Sequence, residues 1–124
     1  MTVDIWGIYY VDPCQHTIPY PKPKLVVVVC VDAKPMGFLI NSEIDVWIQI
    51  DPQKIICQAQ ILVSEHPSLD YDSWVDCLSL FPFEESELNR KREPVSPTAK
   101  QRILEAVRNS RTVDRKLKKK ILKG

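Results

Sequence analysis

The chain has 124 residues, 44% of them hydrophobic, and a formal net charge of +1, which is the balance of an ordinary globular domain large enough to hold a core without disulfides or metal. Its longest apolar run, residues 25–31, falls far short of the ~20 residues a membrane helix needs. The start, MTVDIWGIYY, lacks the basic region and small-residue cleavage site of a signal peptide, so a cytoplasmic protein with free thiols is expected.

Residues 4–11, DIWGIYYV, carry the aromatic and β-branched side chains that suit a pleated surface, and they read as a first strand. Prolines at 13, 19, 21 and 23 forbid a helix or a central strand and predict an extended loop up to residue 23. The run at 25–31 is continuous rather than alternating, which predicts a strand buried on both faces. Turn residues at 32–37, DAKPMG, lead into a second strand at 38–40, closed by Asn41-Ser42-Glu43, so a hairpin with a longer loop is expected. IDVWIQI at 44–50 alternates apolar and polar positions and reads as a half-exposed strand, with Trp47 the one tryptophan placed to face outward. After the turn DPQK, the stretches IICQAQILV (55–63) and SWVDCLSLF (73–81) read as two further strands joined by the polar loop SEHPSLDYD. About six short strands with no helix among them predict a small antiparallel barrel.

From Phe83 the pattern changes. FEESEL at 83–88 suits one helical turn, and residues 89–94 read as a charged linker. Ser96-Pro97 pairs a capping residue with a proline at the first helical position, and Ile103, Leu104 and Val107 supply an apolar face. Thr112 is positioned to cap a second helix whose apolar residues Val113, Leu117 and Ile121 recur every four. The expected organisation is therefore mainly β, an α+β chain with a barrel at 1–88 and a basic helical segment at 89–124 packed on or extending from it, one domain overall. The charge divides at the same place: residues 1–88 hold four basic and thirteen acidic groups, a net of −9, and residues 89–124 hold thirteen basic and three acidic groups, a net of +10. A basic tail of this kind meets nucleic acid or an acidic partner, or folds back on its own acidic body.

The four cysteines, Cys14, Cys30, Cys57 and Cys77, form no C-x-x-C pair and read as small core hydrophobes. Cys14 and His16 with Cys30 or His66 make the alternative, a zinc site, without the paired ligand spacing of known ones.

Gly7 in the first strand, KLVVVV at 24–29, a hairpin ending at Ser42, DSWVDC at 72–77, and Pro94-Val95-Ser96 leading to Lys100-Gln101-Arg102-Ile103-Leu104 together resemble, in order and spacing, the PemK/MazF-type toxin family, over residues 5 to 110 or so. The resemblance implies an SH3-like antiparallel barrel with C-terminal helices. It further implies a dimeric, metal-independent endoribonuclease acting on single-stranded RNA without a cofactor, with an antitoxin protein as partner. Lys34 stands where the family places an arginine, Glu93-Pro94 replaces a glycine before the final helix, and the tail after Ser110 lies beyond the family pattern. Cleavage without metal requires a base for the 2′-hydroxyl, a cation for the phosphorane and an acid for the leaving oxygen. Lys34 as the cation, Glu43 as the base and Ser42 as a donor to phosphate form the candidate catalytic set, and either imidazole, His16 or His66, suits proton transfer if the fold brings it near. Lys34-Pro35 equally suits an exposed hairpin tip, and Asn41-Ser42 the local hydrogen bonding of a strand end. Arg115, Lys118, Lys119 and Lys120 are the candidate RNA contacts. The alternative is a non-catalytic barrel of the same shape that binds a protein or nucleic acid.

Overall fold

The computed structural model describes residues 3–123. At its centre lies β2 (Lys22–Val31), with β1 (Gly7–Cys14) antiparallel on one edge and β3 (Pro35–Asn41) antiparallel on the other. The continuous apolar run has a simple cause, because each face of β2 has its own cover. Val27 and Val29 join Ile8, Phe38, Ile103, Val107 and Ile121 in one core, while Val26 and Val28 join Tyr9, Val11, Phe83 and Leu88 in a second. Alternate residues point to opposite faces, so a strand sandwiched in this way needs an apolar side chain at every position.

The outer edge of β3 pairs with two strands in turn. Met36 and Gly37 pair with β6 (Phe81–Pro82), and Ile40 and Asn41 pair with β5 (Ser73–Asp76), which carries β4 (Gln58–Ile61) beyond it. β7 (Lys91–Pro94) closes the other side on β1. The result is an α+β architecture of seven antiparallel strands curled into a half-barrel, with helices at the C-terminal end. Among the described residues, no helix is long and apolar enough to cross a membrane.

Several local expectations are corrected. IDVWIQI is not a strand: it forms α1 (Val46–Gln49), followed by α2 (Pro52–Ile55). Asp45 accepts the Trp47 N–H at 2.8 Å and Asp51 accepts the Gln53 N–H at 2.9 Å, with Pro52 at the start of the second helix; two side-chain caps outweigh a short alternation. The stretch expected as a strand over 55–63 is strand only at 58–61. That over 73–81 is broken, with Asp76 Oδ1 taking the Leu78 N–H at 3.1 Å. Residues 89–94 are not a linker, since β7 forms within them and binds the −9 and +10 regions into one sheet. The hairpin turn is tight, Asp32–Lys34, with Asp32 N–H donating to the Lys34 carbonyl at 3.0 Å. β1 and β2 extend into the proline-rich stretch, to Cys14 and from Lys22.

α3 (Pro97–Asn109) starts at Ser96 as expected, with the Ser96 Oγ accepting the Ala99 N–H at 3.1 Å. α4 (Arg115–Lys123) is capped by Asp114 rather than Thr112: its carboxylate accepts the N–H groups of Lys116 and Leu117 at 2.9 and 3.3 Å. Thr112 instead donates its hydroxyl to the Leu78 carbonyl. Ile121 is fully buried, so α4 folds back on the barrel.

Candidate functional site at the open end of the half-barrel

The antiparallel registers bring three chain segments to one end of the sheet. Val11 pairs with Lys24 and Cys14 with Lys22 across β1 and β2, and Val26 pairs with Leu39 across β2 and β3. Carried two residues further, that last register sets Lys24 beside Asn41, where β3 ends. A groove of about 760 Å³ opens here. His16, Lys22, Lys24, Asn41, Ser42 and Glu43 line it together with Asp45, Gln58, Asp76 and Ser79, Leu39 and Phe81 add apolar surface, and α1 forms one wall.

His16 is held firmly. Its ring stacks on Phe81 with centroids 4.4 Å apart and meets Phe83 edge-on at 5.2 Å. Nε2 lies 2.8 Å from the Pro82 carbonyl; a carbonyl only accepts, so Nε2 carries the hydrogen and Nδ1 of the neutral ring is an acceptor. Lys24 is half-buried and makes no salt bridge among the described residues. Burial lowers its ammonium below the ordinary lysine value, and the charge of Lys22 lowers it further. Lys22 and Lys24 share the groove with Glu43, Asp45 and Asp76, so the two cations can meet an anion only where they stand clear of those carboxylates. At the far side Gln58 Nε2 donates to Asp76 Oδ1 at 2.9 Å.

The structure thus brings Ser42 and Glu43 together with His16, Lys22 and Lys24, and sets Lys34 apart. Lys34 lies beyond the opposite end of β3, and seven strand residues at about 3.3 Å each separate it from Ser42 by over 20 Å. It pairs with Glu84 at 2.5 Å, and that hydrogen bond raises its ammonium above the ordinary value. Lys22 and Lys24 escape sequence reasoning because Lys22 falls in the stretch that reads as loop and Lys24 merely opens the apolar run; only the pairing of Lys24 with the hairpin end reveals them.

The basic helix lies at the other end of β2. Lys120 Nζ binds Asp32 Oδ1 at 2.7 Å, and Lys118 Nζ donates to the Ser110 carbonyl at 2.7 Å. Arg115 and Lys119 remain exposed, together with Lys116 and Lys123. The helix therefore adjoins the Lys34 hairpin and lies away from the groove.

His66 is buried beside the start of α3. It is 0% exposed, and both nitrogens are used: Nδ1–H donates to the Leu62 carbonyl at 2.8 Å and Nε2 accepts the Ser96 N–H at 2.9 Å. It positions the start of α3. All four cysteines are buried and free, and burial is the first cause raising each thiol, Cys77 furthest. Among the described residues no group of three or more His, Cys, Asp or Glu side chains is placed to hold a metal ion, so the Cys14, His16, Cys30 and His66 set does not converge.

No protein-family model matches the chain, and comparison with curated proteins returns no significant match.

Proposed function

We propose that the groove binds single-stranded RNA and cleaves it without metal, in the manner of the PemK/MazF-type toxins that the sequence resembles. The observation that supports this most is the convergence of His16, Lys22, Lys24, Ser42 and Glu43 on one groove. Lys24, with Lys22, takes the role of cation that the sequence resemblance gives to Lys34. The two ammonium groups hold the scissile phosphate and offset the charge that grows on its oxygens. Glu43 or His16 Nδ1 removes the 2′-hydroxyl proton, the 2′-oxygen attacks phosphorus, and the 5′-oxygen departs with a proton from Lys24 as a cyclic phosphate forms. Ser42 donates to a non-bridging oxygen. An antitoxin partner, pairing of two copies and a cytoplasmic location belong to the same reading.

The experiment is incubation of the purified chain with a long RNA in EDTA. Discrete fragments are expected from the wild type and from Lys34→Ala, with Lys24→Ala and His16→Ala slowed at least 100-fold, the scale of one lost charge-stabilising or proton-transfer group. RNA left intact by the wild type while it still binds the groove assigns the protein to the non-catalytic alternative. Fragments lost in Lys34→Ala but kept in Lys24→Ala overturn the placement of the site.

A further inference from the structure

Another cavity, of about 290 Å³, lies at the same end of the sheet as the groove, and Lys24 and Ser42 line both. The two hollows lie on opposite faces. Tyr10 pairs with Leu25, and the pairing of Val26 with Leu39, carried back one residue, sets Leu25 beside Ile40. Alternate residues share a face, so this row lines the cavity on the side of Ile8 and Val27. The groove takes Leu39 and Phe81 from the opposite side, that of Val26 and Val28. Lys24, near the start of β2, and Ser42, just past β3, form the rim between the two.

The outer wall of the cavity is the loop at residues 68–73, which its own hydrogen bonds hold in place. Ser68 gives its N–H and its hydroxyl to Glu93, Asp72 accepts the Val63 N–H at 2.9 Å, and the Ser73 hydroxyl donates to the Tyr71 carbonyl at 2.8 Å. Those groups are spent. Two side chains of the loop are not: Tyr71 is 69% exposed, and the exposed carboxylate of Asp70 makes no hydrogen bond or ion pair among the described residues. Across the cavity, Arg90 and Arg92 stand 5.6 and 5.4 Å from the centre of the Tyr10 ring and hold it.

Lys24 and Asp70 are the one cation and the one carboxylate of the lining. A carboxylate only accepts hydrogen bonds, and an exposed aromatic ring stacks a flat partner, so the cavity suits a planar ligand whose edge carries donors. Next to a phosphate at Lys24, that ligand is a neighbouring base of the same strand, which can turn over the rim because its bases are not locked in a duplex. Guanine alone among the four bases offers two adjacent donor groups, N1–H and N2–H2, to the two oxygens of a carboxylate.

We propose that this cavity holds a guanine base beside the phosphate bound at Lys24, stacked on Tyr71, with Asp70 accepting from N1–H and N2–H2. The inference rests on the RNA reading of the groove and adds to it a base preference.

The probes are fluorescently labelled 2′-O-methylated heptamers of uridine with guanosine, inosine, adenosine or cytidine at the centre, beside the all-uridine heptamer. Fluorescence anisotropy reads their binding to the full chain. The guanosine heptamer is expected to bind at least tenfold more tightly than the uridine, adenosine and cytidine ones, the scale of one bidentate contact to a base edge. Inosine, which lacks the N2 amine, should fall between. Asp70→Asn is expected to bring the guanosine heptamer to the level of the all-uridine one without weakening the latter, and Tyr71→Ala to shrink the guanosine advantage. Both residues are exposed, and circular dichroism checks that the variants keep the fold. Equal binding of all heptamers by the wild type overturns the inference and leaves the RNA reading standing, as does a guanosine preference that both variants retain. No binding of any heptamer overturns the RNA reading itself and the inference with it.

Discussion

Gly37 sits where β2 and β3 approach each other: a Cβ there would stand 2.7 Å from the Val27 carbonyl oxygen and 3.3 Å from the Phe83 ring. The oxygen is backbone and cannot swing away, so relief requires the two strands to part. Gly37→Ala is expected to lower stability by about 1–3 kcal/mol, read as a fall in the urea midpoint with little change in slope. Lys24 carries a prediction of a different kind. Its charge is lost on raising pH through a value below the ordinary 10.5 of lysine, because burial and then Lys22 lower it. Affinity for a 2′-O-methylated single-stranded RNA should therefore decline over a pH range below 10.5, and Lys24→Arg, which stays charged, should remove that limb. A limb unchanged in Lys24→Arg would show that the ammonium at 24 does not hold the phosphate.

Between elements, a polar tether fixes β7 to the loop after residues 63–65. Glu93 Oε2 accepts both the Ser68 N–H and the Ser68 hydroxyl, at 2.9 and 2.7 Å. Burial pushes this carboxyl up, and the two Ser68 hydrogen bonds, with smaller aid from other groups, outweigh it and leave it below the ordinary 4.5. A carboxylate with a depressed folded value contributes stability that is complete above its unfolded value and lost as pH falls through the folded one. Unfolding midpoints measured downward from pH 5 should fall more steeply for the wild type than for Glu93→Gln; parallel curves would show that the tether contributes nothing. This strand also shows what the sequence conceals. KREP is charged and mostly exposed, so an edge strand that buries almost nothing carries no period-two signature and reads as linker. The opposite error befell IDVWIQI, whose alternation imitates a strand although the two Asp caps, each two residues before the N–H it binds, mark short helices. β2, by contrast, was legible because burial on both faces leaves only apolar residues, and α3 because Ser96 and Pro97 announce it. The groove was legible only by half: Ser42 and Glu43 follow from the end of a strand, whereas Lys22, Lys24 and the locked imidazole of His16 depend on which strands pair.

At the scale of the whole molecule two basic regions compete for RNA, apart from the exposed Arg90, Lys91 and Arg92 at the β7 edge. Lys22 and Lys24 line the groove, and Arg115, Lys116, Lys119 and Lys123 stay exposed on α4, over the far end of β2. Salt dependence separates the two. Contact with two phosphates in the groove gives a slope of log affinity against log salt of about −1.4, whereas four more on α4 would bring it to about −4. RNA held in the groove is expected to touch few residues outside it and the cavity that adjoins it. The most direct measurement of this placement is an NMR titration of the full chain with a short 2′-O-methylated single-stranded RNA that cannot be cleaved. The predicted result is amide shifts concentrated at residues 15–24 and 41–49, saturating together, with Lys34 and α4 little moved. Shifts confined to α4 and the 32–34 turn, or none within 41–49, would contradict it.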